Sequence, residues 1–226
     1  MEKPRRTRYP KSIINVQLKR AHRPRTVTEE TQNRNTKVEL HYIRWKEYAM
    51  RPKVQNILDA ALFSALTAAG ALISIPLPFS PVPITMQTLF TYLAGALLGG
   101  YLGALSQLIY VLMGIVGLPV FAGGNAGFVV LIGPTGGYLL GFVLGSFTIG
   151  KLVKIKKNPS FQWLLICMIS GTAVIYLLGV LQLMNWTGMG AAEAFAIGVF
   201  PFILGDLLKM LVATYITIRI QKVLTK

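Results

Sequence analysis

Two charged residues stand alone in an apolar stretch near the end of the chain: Asp206 and Lys209 in PFILGDLLKML. Spaced i and i+3, a carboxylate and an ammonium share one helix face and can partly neutralise each other. An unpaired charge amid lipid costs several kcal/mol, so such groups are by default candidates for a functional site. The pair reads either as a self-compensating structural element or as the polar centre of a binding site. A second stretch, GGNAGFVVLIGPTGGY from Gly123 to Tyr138, is rich in glycine without being charged. Glycine lets bare backbone N–H donors approach a ligand, and a loop feeding a helix N-terminus favours an anionic group. Gly133, Pro134 and Thr135 read as the start of a helix with Thr135 as its cap. A tight turn with close helix packing accounts for the same glycines equally well. A dinucleotide fingerprint is excluded, because neither the G-x-G-x-x-G spacing nor a βαβ setting is present.

Little else in the chain offers catalysis, and the reading is that it is not an enzyme. His22 and His41, the only histidines, lie in the N-terminal segment, and no carboxylate pair stands at acid–base spacing beyond it. Lys209 could formally form a dyad with Ser64, Ser106, Ser146 or Ser170, but small hydroxyl residues in membrane helices usually serve packing. Glu193 reads as a helix-start carboxylate favoured by the helix dipole. The single cysteine, Cys167, excludes an internal disulfide and a cysteine-based metal cluster, and its setting in WLLICMIS is that of a small buried apolar residue. No metal or cofactor is expected.

The elements that must position the pair and the loop are membrane helices. Of 226 residues, 53% are apolar and 14% charged, against about 25% charged in an ordinary soluble domain. From Ala60 to Gly150 no Asp, Glu, Lys or Arg occurs, which leaves too few ionic groups to hydrate a soluble surface. Fifteen of the 23 basic residues precede Asn56. Residues 1–52 therefore read as a basic cytoplasmic tail and 53–226 as a membrane-embedded substrate-binding domain. The net charge of +15 suits anionic lipid and the orientation of a first membrane helix better than nucleic acid. No secretory signal pattern is present in the tail, and Met50 is a candidate biological start.

The expected architecture is an all-α six-helix transmembrane bundle. Helix one runs from Ile57 to Ile75 and stops at SIPLPFSPVPIT, whose four prolines predict a stiff turn outside the membrane. Gly99 and Gly100 divide the next apolar stretch into a short helix two, Met86 to Leu98, and a helix three, Tyr101 to Ile115. Helix two is too short to cross lipid unaided and should pack inside the bundle. Helices four, five and six follow over Thr135 to Val153, Phe161 to Met184 and Ala191 to Ile220. With both termini cytoplasmic, this count puts 22 basic residues in inner segments and none in the outer, non-helical Pro-rich and Gly-rich loops or in NWTGMG. Ala61, Ala65 and Ala69 form a smooth stripe on helix one, fit either for internal packing or for docking a partner helix.

Taken together, PVPITMQTLF, the paired-glycine turn, AGGNAGFVVLIGPTGGYLLGF and the late GDLLK resemble the BioY family, the biotin-binding S-components of energy-coupling factor transporters. The resemblance spans Lys53 to Lys226, and GPTGGYLLGF is its most specific part. It implies biotin capture in the cell membrane with a transmembrane T-component and paired ATPases as partners. The T-component would dock on Ala61, Ala65 and Ala69. ATP chemistry must come from those partners, since this chain has no Walker A motif. Asp206 and Lys209 would read the ureido head of biotin; Asn125 with the amides around Gly123, Gly124 and Gly127 would hold its carboxylate; Tyr138 would line the cavity. The reverse placement, with Lys209 on the carboxylate, stays open. So do an S-component for another small vitamin and a structural or channel-like membrane protein whose charges only pair with each other.

Overall fold

The structure is a computed structural model and describes residues 53–224. The basic tail 1–52 and the Met50 question lie outside the described residues. Helix α1 covers residues 53–72. Its inner face carries Ala60, Ser64, Thr67 and Ala71, all buried, so small side chains let α1 lie close to its neighbours.

The proline-rich segment is the first departure from expectation. It forms an antiparallel hairpin, β1 (Ser74–Leu77) and β2 (Ser80–Thr85), so the fold is mostly helical and not all-α. A two-stranded sheet consists of edges alone, where a proline lacking its N–H can face away from the ladder. The register slips between Ile75 and Leu77, where Pro76 sits. Ser80 and Val82, on one side of β2, are buried, as is Thr85 at its end.

Helix α2 (Gln87–Leu98) follows at once. Its 12 residues span about 18 Å, well short of the ~30 Å of a hydrocarbon core. It is accordingly buried on most sides, with Gln87, Thr91, Tyr92 and Ala94 all shielded. Gly99, at φ 84°, makes the turn into α3 (Gly100–Ile115). A side chain on Gly150 would strike the backbone of Gly99 and Gly100, so this turn needs glycine on both sides of the contact.

The segment expected to be non-helical contains a 3-10 turn (Ala122–Gly124) and a short helix α4 (Phe128–Ile132) before α5 (Gly136–Val153). Thr135 precedes α5 but its side chain caps nothing, contrary to the expected cap. Helix α6 (Phe161–Thr187) is capped by Ser160, which accepts from the Trp163 N–H at 3.3 Å, and ends on Gly188 in the left-handed region. α5 and α6 meet through glycine: a Cβ on Gly141 would lie 2.8 Å from the Ile175 Cα, and one on Gly145 3.0 Å from the Gly171 carbonyl oxygen.

The expected sixth helix is broken. It divides into α7 (Ala191–Gly198), a 3-10 turn (Phe200–Phe202) and α8 (Ile203–Leu224). Pro201 cannot donate to the Ile197 carbonyl, the Phe202 N–H turns to Val199 at 2.9 Å, and the Gly198 carbonyl accepts from the Tyr138 hydroxyl at 2.7 Å. Asp206 therefore lies in the first turn of α8 and not near the middle of one long helix. Among the described residues three segments are long and apolar enough to cross a membrane, Gly136–Val153, Phe161–Thr187 and, counted across the break, Ala191–Val223. Outward faces carry Leu62, Leu105, Leu144, Ile169, Leu177 and Leu204, all exposed, the surface of a protein that meets lipid.

Candidate ligand-binding site

A cavity of about 460 Å³ lies among the hairpin, the segment 121–135 and helices α2, α5, α6 and α8. That is the size range of small-molecule sites. Most of the wall is apolar, with Val82, Phe121, Leu139, Phe142 and Ile175 contributing. Its polar groups are few and concentrated, chiefly Gln87, Thr88, Tyr176, Asp206 and Lys209.

The break at Pro201 sets the position of the charges, because α8 starts beside the cavity and its first turns carry both. Lys209 Nζ lies 2.9 Å from Asp206 Oδ1, and the two residues are only 8% and 3% exposed. Thr88, from α2, donates to Asp206 Oδ1 at 2.9 Å and accepts from Lys209 Nζ at 3.1 Å. Tyr176, from α6, donates to Asp206 Oδ2 at 2.6 Å. Both carboxylate oxygens thus have donors from separate helices, the condition under which a buried ion pair is tolerated. Among the described residues no serine bonds Lys209: Ser106 and Ser170 donate to carbonyls of their own helices, and Ser64 and Ser146 have no partner there. The formal Ser–Lys dyad is absent from the geometry.

A second polar cluster borders the first. Thr85 donates to Gln87 Oε1 at 2.8 Å, Gln87 Nε2 bonds the Tyr110 hydroxyl, and that hydroxyl reaches the Val120 carbonyl at 3.1 Å. Behind it Gln107 bonds Thr91 at 3.2 Å and Thr67 at 3.1 Å, tying α1, α2 and α3 together inside the bundle.

Of the seven residues read in the sequence as ligand-binding, five line the same cavity: Gly123, Asn125, Tyr138, Asp206 and Lys209. Gly124 and Gly127 do not. Their N–H groups are taken internally, by the Phe121 carbonyl at 3.0 Å and the Gly114 carbonyl at 2.7 Å, and their φ angles of 76° and 92° serve the turn. Asn125 Nδ2 donates to the Ala122 carbonyl at 2.7 Å, so part of its side chain holds its own loop. Thr88, Tyr176 and Gln87 went unnoticed in the sequence, since single hydroxyls and amides on apolar helices give no local signal. Ala61, Ala65 and Ala69 all face outward and are exposed. Cys167 is buried, and Glu193 sits exposed in the first turn of α7.

Fold and site together define a membrane-embedded helical protein that can enclose a small solute against a buried ion pair. The BioY family matches residues 37–226, and the chain belongs to that family. The match begins upstream of Lys53, where the sequence resemblance was placed. The chain is 44% identical over 169 residues to the "Biotin transporter BioY" of Thermotoga maritima, covering 75% of this chain and 97% of that protein. It is 38% identical over 167 residues to the "Biotin transporter BioY" of Rhizobium etli, covering 70% and 89%. A crystal structure of the S-component for biotin from an ECF-type ABC transporter superposes with a TM-score of 0.71 at 29% identity, over 76% of this chain and 93% of that one. The fold is that of an S-component.

Proposed function

We propose that this protein is a multi-pass cell-membrane carrier that captures biotin and passes it inward as the S-component of an energy-coupling factor transporter. The observation that carries the reading is the Asp206–Lys209 pair on the cavity wall, held by Thr88 and Tyr176. A neutral cyclic urea suits it. Its N–H groups can donate to Asp206 and its carbonyl can accept from Lys209, leaving the buried charge balanced. A ligand carboxylate at the same place would put two anions against one ammonium, a costly arrangement away from water. The ureido head therefore goes to the pair, and the carboxylate goes toward Gly123 and Asn125, which are exposed.

Six spans with both termini cytoplasmic fit the charge distribution. Lys151, Lys154, Lys156 and Lys157 lie at and beyond the end of α5 opposite its cavity-lining Tyr138, where the cytoplasmic excess of Lys and Arg belongs. Ala61, Ala65 and Ala69, exposed on α1, are proposed to receive the T-component, and its ATPases to supply the energy. Retention of radiolabelled biotin by the purified chain, with uptake by cells expressing it with and without a T-component and ATPases, tests the proposal. Bound biotin and partner-stimulated uptake are expected. Purified chain that retains no biotin, or retains a different vitamin, overturns it.

A further inference from the structure

The cavity wall formed by the glycine-rich segment contains backbone that cannot satisfy itself. Helix α4 is only 5 residues long, and the Gly133 N–H already returns to Val129 and Val130. The Leu131 and Ile132 carbonyls are left over, while that of Gly133 accepts from the Gly136 N–H at 3.2 Å, and an unpaired carbonyl at membrane depth is costly. One side chain meets both of these and the Gly133 carbonyl as well. Gln182 Nε2, on α6, lies 3.4, 3.1 and 3.2 Å from the Leu131, Ile132 and Gly133 carbonyl oxygens. Three carbonyls only accept, so the group facing them must be the NH2 end of the amide. With two hydrogens it serves the two nearer oxygens best.

The junction is tight. A Cβ on Gly136 would overlap the Leu131 carbonyl, and one on Gly137 would overlap the Leu178 carbonyl and crowd the Gln182 Cβ at 2.5 Å. The end of α4, the start of α5 and the side of α6 therefore converge on Gln182. Gln182 itself does not line the cavity, whereas Val129, Val130, Gly133, Pro134 and Thr135 do. We propose that Gln182 is a positioning residue: its amide clamps the end of α4 and so holds the glycine-rich wall closed over the ligand, setting how long the ligand stays. The choice of biotin as ligand rests on the function proposed above; the clamp does not.

Gln182→Met keeps length and helix propensity while removing both donors. Losing two neutral hydrogen bonds, each of modest net strength, corresponds to about a tenfold or greater rise in the rate of biotin release. The preference for biotin over its methyl ester should stay as in the unaltered protein, since Gln182 neither lines the cavity nor bonds Gly123 or Asn125. Amide hydrogen exchange should quicken over residues 128–137 and stay unchanged in the rest of α5 and α6. Gln182→Glu, which turns an acceptor toward three acceptors, should quicken release and exchange further. A release rate within twofold of the unaltered protein overturns the proposal. So does exchange that rises evenly through α5 and α6, the mark of general destabilisation. If the unaltered chain binds no biotin, the function fails on its own, and the clamp is then decided by exchange alone: local quickening in Gln182→Met supports it, and none overturns it.

Discussion

The two walls of the cavity are built in opposite ways. On one, Asp206, Lys209, Thr88 and Tyr176 come from three helices and satisfy one another through bonds of 2.6 to 3.1 Å. On the other, a segment with Gly123, Gly124 and Gly127 at positive φ leaves Gly123, Gly124 and Asn125 exposed. Side chains locked by packing hold a ligand's polar atoms in register. Glycine backbone, with few contacts, opens at low cost. A carrier must be selective and must also release its solute, and we propose that the two walls divide these tasks.

The largest effect should come from breaking the rigid wall. Asp206→Asn or Lys209→Met leaves one buried charge without its partner, which costs about 3–5 kcal/mol. Biotin affinity should fall at least about a hundredfold by radioligand binding, and loss of under tenfold in both variants would detach the pair from recognition. Next come the groups that hold the pair. Tyr176→Phe removes one hydrogen bond to a charged group and Thr88→Val removes two, each worth about 1.5–3 kcal/mol, so affinity should drop by roughly ten- to a hundredfold, with Thr88→Val at the upper end. Thr88→Ser should restore most of it, because the hydroxyl alone is required.

Much of this fold is legible in the sequence because lipid simplifies the code. Helices α2, α3, α5 and α6 start within one residue of their expected positions, since the paired glycines, the lysine run and Ser160 punctuate apolar stretches plainly. The hairpin was hidden because prolines argue against a strand unless both strands are edges. Pro201 did carry the signal for the broken final helix, but the surrounding apolar run outweighed it. Asp206 and Lys209 were visible as charges out of place. Thr88 and Gln182 were not, as their roles exist only once residues 118 and about fifty positions away fold against them.

Smaller effects should follow from the soft wall. Asn125→Ala removes the 2.7 Å bond that braces the turn and should change affinity by only a few-fold while speeding both capture and release, read by stopped-flow binding. Gly124→Ala strains a φ of 76°, costs about 1 kcal/mol, and should act in the same direction. Smallest of all is the outer face of α1. Ala65→Leu should leave biotin binding by the isolated chain within twofold, because Ala65 is exposed and not among the residues lining the cavity, while lowering partner-dependent uptake.

The central claim is that one small guest is gripped by the ion pair and covered by the glycine segment at the same time. A crystal structure of the biotin-bound protein tests it most directly. The account predicts the ureido ring within hydrogen-bond distance of both Asp206 and Lys209, with the valerate tail ending beside Gly123 and Asn125. Biotin found outside this cavity, or inside it with Asp206 and Lys209 still bonded only to each other, Thr88 and Tyr176, would contradict the account.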